Sequence, residues 1–418
     1  MALSRISTPS LERVLMSRDA LVGKFVASNR VDLLKGSAAF FASLIEAIDL
    51  AAESIWIETY ILSDDASVLA VLNACKQAAN RGVEVHLTVD GFGSGPYGRS
   101  LMQTLPASGV QMRIFRPERW WRMSRRLLRR MHRKLAVIDD RIAFVGGINL
   151  LDDYIDPNHG KLTFPRLDYC VQMQGPIVSI VALSMQRQWL AILSLQQNVK
   201  QVLVGRTSPQ TIEPSLMSPA LAAAGDTPVA FVPRDNLRYR STIERSYREA
   251  INQAKQEIVL ANAYFLPGRK LRSALINAAL RGVRVRLLLQ GRMEYWLQHH
   301  ATQALYGQLL DAGIEIYEYT KSFLHAKVAV IDQTWATVGS SNIDPFSLLL
   351  AREANVVIKD PVFTAQLKSD LELEITQGAE QIHPEVYAHR SFLTRVFNWV
   401  AYGFVRLGVA LTGVRGNY

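Results

Sequence analysis

Apolar residues along this chain cluster at two alternating periods. Phe40, Phe41, Leu44, Ile45 and Ile48 recur at helical spacing, and the run SIWIETYIL that follows reads as a buried strand. Ala66 to Ala79 predicts a helix, with Gly82 placed to cap its C-terminus. Val83, Val85, Leu87 and Val89 then alternate as a strand. The same rhythm returns later: a strand at Ile258 to Leu260, a helix at Ser273 to Leu280, Gly282, and a strand from Val283 to Leu289. KLAVID and KVAVID, opening at Lys134 and Lys327, read as two further buried strands. Helices and strands in alternation predict a layered α/β fold with helices covering the sheet.

The rhythm returns because the chain repeats itself. RGVEVHLTVDG (Arg81 to Gly91) reappears as RGVRVRLLLQG (Arg281 to Gly291), and MHRKLAVIDDRIAFVGGIN (Met131 to Asn149) as LHAKVAVIDQTWATVGSSN (Leu324 to Asn342). A period of roughly 200 residues is too long for a solenoid and fits a duplicated domain. The stretch 207–228, with four prolines and little amphipathic pattern, is the expected linker. The expected organisation is an extension over 1–28, a first half over 29–206, a second half over 229–380 and a C-terminal segment over 381–418. Two halves related by a pseudo-twofold would enclose one shared cleft.

Both copies carry the same spaced polar set. His132, Lys134, Asp139, Gly146, Gly147 and Asn149 match His325, Lys327, Asp332, Gly339, Ser340 and Asn342. His and Lys lie two apart and project from one face of a strand. Gly147 and Ser340, with their glycine neighbours, allow close backbone approach to a ligand, and Asn149 and Asn342 supply amide donors. These residue types suit phosphoryl transfer. Two Lys and two Asn neutralise and hold the phosphate oxygens. One neutral imidazole attacks phosphorus while the other, protonated, gives its proton to the leaving alkoxide. Each His needs a partner on its second ring nitrogen. Asp168 and Glu353 stand at the starts of two matching strands, LDYCVQMQGPIV and REANVVIKDPVF, expected beside the His strands, and are assigned as orienting carboxylates. Asp139 and Asp332, five residues beyond Lys, are counted with His132, Lys134, His325 and Lys327 in the catalytic set, although on a regular strand they face away from it, which would suit a fold-stabilising role.

Composition narrows the chemistry further. Apolar residues make up 49% of 418, which supports a large core and excludes a disordered chain. Two cysteines, Cys75 and Cys170, exclude a disulfide framework and a cysteine-rich zinc module. An ammonium beside each imidazole repels cations, and neither HExxH nor CxxC is present, so neither a metal nor a cofactor is expected. The net charge of +10 favours a polyanionic partner, nucleic acid or anionic lipid.

The paired HxKx4Dx6G[GS]xN motif resembles the mark of the phospholipase D superfamily. Within it the chain is most similar to bacterial cardiolipin synthases, in particular their B type, on RRMHRKLAVIDDRIAFVGGIN, ANAYFLPG and WATVGSSNIDP. The resemblance runs from about Asn29 to Leu371. It implies a duplicated α/β/α sandwich with one active site built from both motifs, metal-free phosphatidyl transfer, and a phosphatidyl-histidine intermediate. The family's nucleophile and acid/base positions fall on His132 and His325, with His132 favoured as nucleophile. The implied reaction joins two phosphatidylglycerols into cardiolipin and glycerol, with phosphatidylethanolamine as another donor. Hydrolysis to phosphatidic acid and a nuclease activity are the rival readings.

Two segments point to a lipid surface. Arg116 to Met131 holds seven Arg with Trp120 and Trp121, a pairing suited to the headgroup level. Arg390 to Tyr418 holds four Arg, no Asp or Glu, and Trp and Tyr amid Phe, Val and Leu. It reads as an interfacial segment or as a helix docked on the core. No uninterrupted apolar run of about 18 residues and no signal-peptide pattern appear in the sequence. The expectation is peripheral attachment at the cytoplasmic face of the inner membrane, with anionic phospholipids as partners and no nucleic acid.

Overall fold

The structure, a computed structural model, describes residues 21–95, 100–101, 104–117, 129–204, 223–236, 238–389 and 391–411. Most of the expected linker, the core of the basic stretch (118–128) and the last seven residues lie outside them. The first half comprises β1 (Val26–Lys35), α1 (Gly36–Asp49), β2 (Ser54–Thr59), α2 (Ala66–Asn80), β3 (Glu84–Asp90), β4 (Gln111–Phe115), β5 (Lys134–Ile138), β6 (Ile142–Gly146), the small hairpin β7 (Ile155–Asp156) and β8 (Gly160–Lys161), β9 (Tyr169–Gln174) and α3 (Ile177–Val204). The second comprises β10 (Thr227–Arg234), α4 (Thr242–Gln253), β11 (Glu257–Asn262), α5 (Arg269–Leu280), β12 (Arg284–Gln290), α6 (Trp296–Gln303), α7 (Tyr306–Asp311), β13 (Glu315–Tyr319), β14 (Lys327–Ile331), β15 (Trp335–Gly339), α8 (Pro345–Leu349), β16 (Glu353–Ile358), α9 (Pro361–Gly378) and β17 (Ala379–Ile382). Helices α10 (Pro384–Ala388) and α11 (Phe392–Leu411) close the chain.

The strand order is a palindrome. From the central β10–β1 pair it runs β10-β16-β15-β14-β11-β12-β13 on one side and β1-β9-β6-β5-β2-β3-β4 on the other, with β17 added at one edge. The repeat in sequence is therefore a repeat in topology, and the two halves are related by a pseudo-twofold. Asn29 holds the junction. Its buried amide donates to Val26 O, Ala27 O and Thr227 O, and its Oδ1 accepts from Ile177 N at the start of α3.

Alternation along the strands sorts side chains into layers. Leu135 and Val137 of β5 join Val328 and Val330 of β14 in one apolar cluster shared by both halves, together with faces of α3 and α9. Ala136 and Ile138 point the other way, into the first half's own core under α1 and α2. Ala329 and Ile331 do the same beneath α4 and α5. Strands buried on both faces read as continuous apolar runs, which is why KLAVI and KVAVI look alike. Each half is thus an α/β/α sandwich, and the halves meet through β1 and β10 and through β6 and β9 against β15 and β16. Helix α3 holds the one stretch among the described residues, Ile177–Ser194, long and apolar enough to cross a membrane, and 72% of it is buried inside the protein.

The turns repeat as well. Gly82 and Gly282 take φ of +93° and +88° at the ends of α2 and α5, a conformation open to glycine.

Candidate active site

The site forms where the strands of one half reach across to the other. His132 N donates to Arg352 O at 2.9 Å, and Arg352 N to Arg130 O at 2.7 Å. In mirror fashion, His325 N donates to Leu167 O at 2.8 Å, and Leu167 N to Phe323 O at 2.9 Å. These short cross-half ladders set each histidine beside the carboxylate of the opposite half. His132 Nδ1 lies 3.0 and 3.1 Å from the two Glu353 oxygens, and His325 Nδ1 lies 2.6 Å from Asp168 Oδ2. The assigned carboxylates do meet the imidazoles, but in exchanged pairs. β9 and β16 are also not the neighbours of the His strands, since β6 and β15 stand between. No intra-half spacing carries that information.

Lys134 Nζ donates to His132 O at 2.7 Å, and Lys327 Nζ to His325 O. Both ammonium groups are buried, which depresses their proton affinity, Lys327 to about 8 and Lys134 well below its ordinary range. Each is drawn back up by both Glu353 and Asp168, and His325 is pushed down first by burial and then by Lys327, Lys134, Arg166 and His132. The repeated groups thus act on one another across the pseudo-twofold as a single electrostatic unit. Among the described residues no group of three or more His, Cys, Asp or Glu is placed to hold a metal ion.

The pseudo-twofold is broken where it matters for protons. Ser340 Oγ donates to Glu353 Oε2 at 2.6 Å. Burial opposes ionisation of Glu353, but His132, Lys134 and this hydroxyl overcome it and bring Glu353 below the usual carboxylate range. At the matching position Gly147 has no hydroxyl to give. A Cβ there would lie 2.3 Å from Asp168 Oδ1, so glycine is what lets Asp168 enter. Burial then raises Asp168 to about 7, only partly offset by Lys327 and its hydrogen bond from Tyr169 N. This corrects the phosphate-binding role expected for Gly147 and Ser340. Their backbone N–H groups are engaged by Tyr169 O and Ala354 O in the sheet, so both act on the carboxylates instead.

Asn149 and Asn342 are buried at the ends of the motifs. Asn149 Oδ1 accepts from Ile61 N at 3.1 Å, which turns its amide hydrogens toward the cleft. Asp139 and Asp332 are not brought to the site, a second correction. Each lies past the far end of its strand, about 20 Å of extended chain from the histidine. Asp139 accepts from the backbone N–H of Ala52, Glu53 and Ser54 at 2.7–2.8 Å, and Asp332 from Lys255, Gln256 and Glu257. Both adopt φ near +50°, in tight turns that Asp tolerates.

A cavity of about 280 Å³ opens beside His325, lined from the first half by Tyr60, Asn149, Arg166 and Asp168 and from the second by Glu294, Tyr295 and Phe323. Tyr60 joins it to the other histidine: its ring packs edge-on against His132 at 4.9 Å and under Lys134 at 5.2 Å. Tyr60, Arg166 and Glu294 were not singled out in the sequence. Arg166, two residues from Asp168 on extended chain, carried a usable signal. Tyr60 and Glu294 did not, because neither has a counterpart of its own type in the other half.

Comparison with known proteins turns this geometry into a family. The model of the family described as "Cardiolipin synthase, PLD-like domain" matches residues 44–163 and 247–374, once in each half. The chain belongs to that family. It is 35% identical over 386 residues to cardiolipin synthase B of Salmonella typhimurium, covering 92% of this chain and 90% of that one. It is 34% identical to cardiolipin synthase B of Escherichia coli K12 over the same shares. Among solved structures, phosphatidylserine synthase of Haemophilus influenzae covers 95% of the chain with a TM-score of 0.63 at 13% identity, and carries the same fold. The expected superfamily and duplicated fold are both borne out. The family's members are phosphatidyltransferases of phospholipid biosynthesis, and this chain is an enzyme of that kind acting on phospholipids.

Proposed function

We propose that the enzyme makes cardiolipin by transferring the phosphatidyl group of one phosphatidylglycerol to the headgroup hydroxyl of a second, through a phosphatidyl-His132 intermediate. The exchanged and unequal His–carboxylate pairs carry this reading. Glu353, held ionised by His132, Lys134 and Ser340 against its burial, accepts the Nδ1–H of His132, so Nε2 presents a lone pair. Burial keeps His132 below its ordinary value, hence neutral at physiological pH. Attack of Nε2 on phosphorus forms an N–P bond and a cationic ring, which the fixed negative charge of Glu353 stabilises. The bond from phosphorus to the glycerol oxygen breaks, and the proton held by the His325–Asp168 pair passes from His325 Nε2 to that oxygen. Asp168 near 7 makes this pair one that gains and loses a proton around neutral pH. The acceptor hydroxyl then gives its proton to His325 and attacks phosphorus, and the N–P bond breaks. Lys134, Lys327, Asn149 and Asn342 hold the phosphate oxygens throughout.

The C-terminal helix supports a membrane surface as the place of reaction. Asn398, Ala401, Val405 and Val409 of α11 are buried against the second half, with Asn398 2.8 Å from His300 of α6. Its other face exposes Phe392, Leu393, Trp399, Val400, Phe404 and Leu407 to solvent, with Arg395 and Arg406 and no acid. Helix α6 follows directly on Glu294 and Tyr295 of the cavity wall, so this apolar face is tethered beside the cleft. Docking on the core and lying in the interface are thus two faces of one helix.

The deciding experiment feeds phosphatidylglycerol labelled in its phosphatidyl moiety to the enzyme on vesicles, with and without phosphatidylethanolamine. Labelled cardiolipin with release of glycerol is expected. Phosphatidic acid as sole product would reject the transferase, and release of ethanolamine would make phosphatidylethanolamine the donor. Quenched in detergent at mildly alkaline pH, where a histidine–phosphorus bond survives, His325→Ala protein should retain label and His132→Ala protein none. Label on His132→Ala alone would reverse the two roles.

A further inference from the structure

With His132 as nucleophile, the alcohol that leaves phosphorus and the alcohol that arrives both stand opposite it, on the side of His325. The cavity of about 280 Å³ is on that side, with His325 in its wall, and four carboxylates line it: Asp153, Asp156, Asp168 and Glu294. The three from the first half are tied to backbone N–H groups of that half. Asp153 accepts from Ser37 N, Asp156 from Asn158 N and His159 N at 2.9 Å, and Asp168 from Tyr169 N at 2.8 Å besides its contact with His325. Glu294 is held differently. Its Oε2 accepts from the Tyr264 hydroxyl at 2.5 Å, and its Oε1 takes no hydrogen bond from any described residue. Nor does it form an ion pair among them, although Arg166 stands in the same wall and Lys327 is close enough to act on its charge.

The fold does not require this carboxylate. Helix α6 begins two residues later and opens without a side-chain cap, so Glu294 is not spent on the helix. The pseudo-twofold places Ser94 where Glu294 stands, three residues past Gly91 and Gly291, and Ile61 where Tyr264 stands. Ser94 is used inside the fold: its hydroxyl donates to Tyr60 O at 3.0 Å and accepts from Leu62 N at 3.1 Å. One half therefore closes the position with a short hydroxyl and hydrocarbon. The other sets a carboxylate in the cavity wall and fixes its direction with a phenol. Burial raises the Glu294 carboxyl above its ordinary range, and Tyr264, Arg166 and Lys327 draw it back only in part. A half-buried carboxylate with an oxygen to spare gains from any donor that reaches it. A hydroxyl supplies that donor without adding charge, whereas an ammonium would be opposed by Arg166 and Lys327.

We propose, resting on the transferase reading above, that Glu294 selects the headgroup: its Oε1 accepts a hydrogen bond from the hydroxyl next to the one that reacts, so the site takes a 1,2-diol such as glycerol in preference to a simple alcohol. No proton passes to Glu294, and that of the reacting hydroxyl goes to His325 as before. The test gives the full-length enzyme, on phosphatidylglycerol vesicles, 1,2-propanediol and 1-propanol together at equal concentration. The ratio of phosphatidylpropanediol to phosphatidylpropanol reads the second hydroxyl alone, and any general loss of activity or of folded protein cancels in it. The wild type should favour the diol about tenfold or more, the effect of one hydrogen bond to a charged group, and Glu294→Ala should bring the ratio to about one. Glu294→Gln keeps the shape and an acceptor for Tyr264. Its ratio should fall in the same direction by a smaller factor, and it decides the matter if the alanine protein does not fold. No preference for the diol in the wild type, or a preference that survives both substitutions, would overturn the assignment. So would a preference for ethanolamine over the diol that the substitutions abolish, since Glu294 would then read an ammonium. Phosphatidic acid as the sole product with every alcohol would overturn the transferase reading, and this assignment with it.

Discussion

At the scale of single residues, the enzyme spends most of its design on where two protons sit. Asp168 binds its proton more tightly folded than unfolded, about 7 against 3.8. The sign follows: what it contributes to stability is present at low pH and is lost as pH rises through about 7. Asp168→Asn has no proton to lose. Its melting temperature should hold from pH 5 to 8 while that of the wild type declines, and differential scanning calorimetry checks this. The same substitution should lower kcat by about 10²–10⁴-fold and remove the fall in kcat/KM expected of the wild type above pH 7. A variant that keeps that fall would take the proton away from the His325–Asp168 pair. Asp139→Asn belongs to another class. It turns one acceptor oxygen into a donor facing the N–H groups of Ala52, Glu53 and Ser54. A cost of about 1–3 kcal/mol is expected, with kcat per folded molecule close to wild type. Inactive protein of normal thermal stability would return Asp139 to the chemistry. The repeated set was legible in the sequence because rare residue types coincided twice. The work of Gly147 and Ser340 was not, since it depends on which carboxylate packs behind each, and that is fixed by the other half.

Helix α11 is the element whose sequence supported two readings, and its 3.6-residue period reconciles them. Positions 398, 401, 405 and 409 form the buried stripe, and the large apolar residues between them face out. A stripe of small and apolar residues docks the helix while an aromatic-rich face with arginines suits the headgroup level. Trp399→Ser with Phe404→Ser removes two large exposed side chains and should cut sedimentation with anionic vesicles at least several-fold, at about 1.5–3 kcal/mol of lost burial each. Turnover of a short-chain substrate below its micelle concentration should be unaffected. Equal loss on both substrates would mean that the face supports the fold and not the membrane. Helix α3 carries the opposite lesson. Its composition alone passes for a membrane span, yet it lies against strands of the one large sheet, mainly those of its own half, and that packing accounts for its apolar surface.

For the molecule as a whole, the order of the strands was implicit in the repeat, and so was a shared cleft. What stayed hidden was how the halves are threaded into each other. Spacing along one half places Asp168 near His132 and Glu353 near His325, and a single sequence with its copy offers nothing against that pairing. Only the cross-half ladders at Arg130–His132 with Arg352, and at Phe323–His325 with Leu167, reverse it.

The crossed carboxylates also bear on how the protein is born. His132 leaves the ribosome 221 residues ahead of the acid that steadies it, and Asp168 waits 157 residues for its imidazole. A chain stopped before His325 therefore carries one full set of signature residues with neither imidazole–carboxylate pair formed. Glu353 has to be made before both pairs exist, so the two-histidine site is assembled only once the strands of both halves have been synthesised.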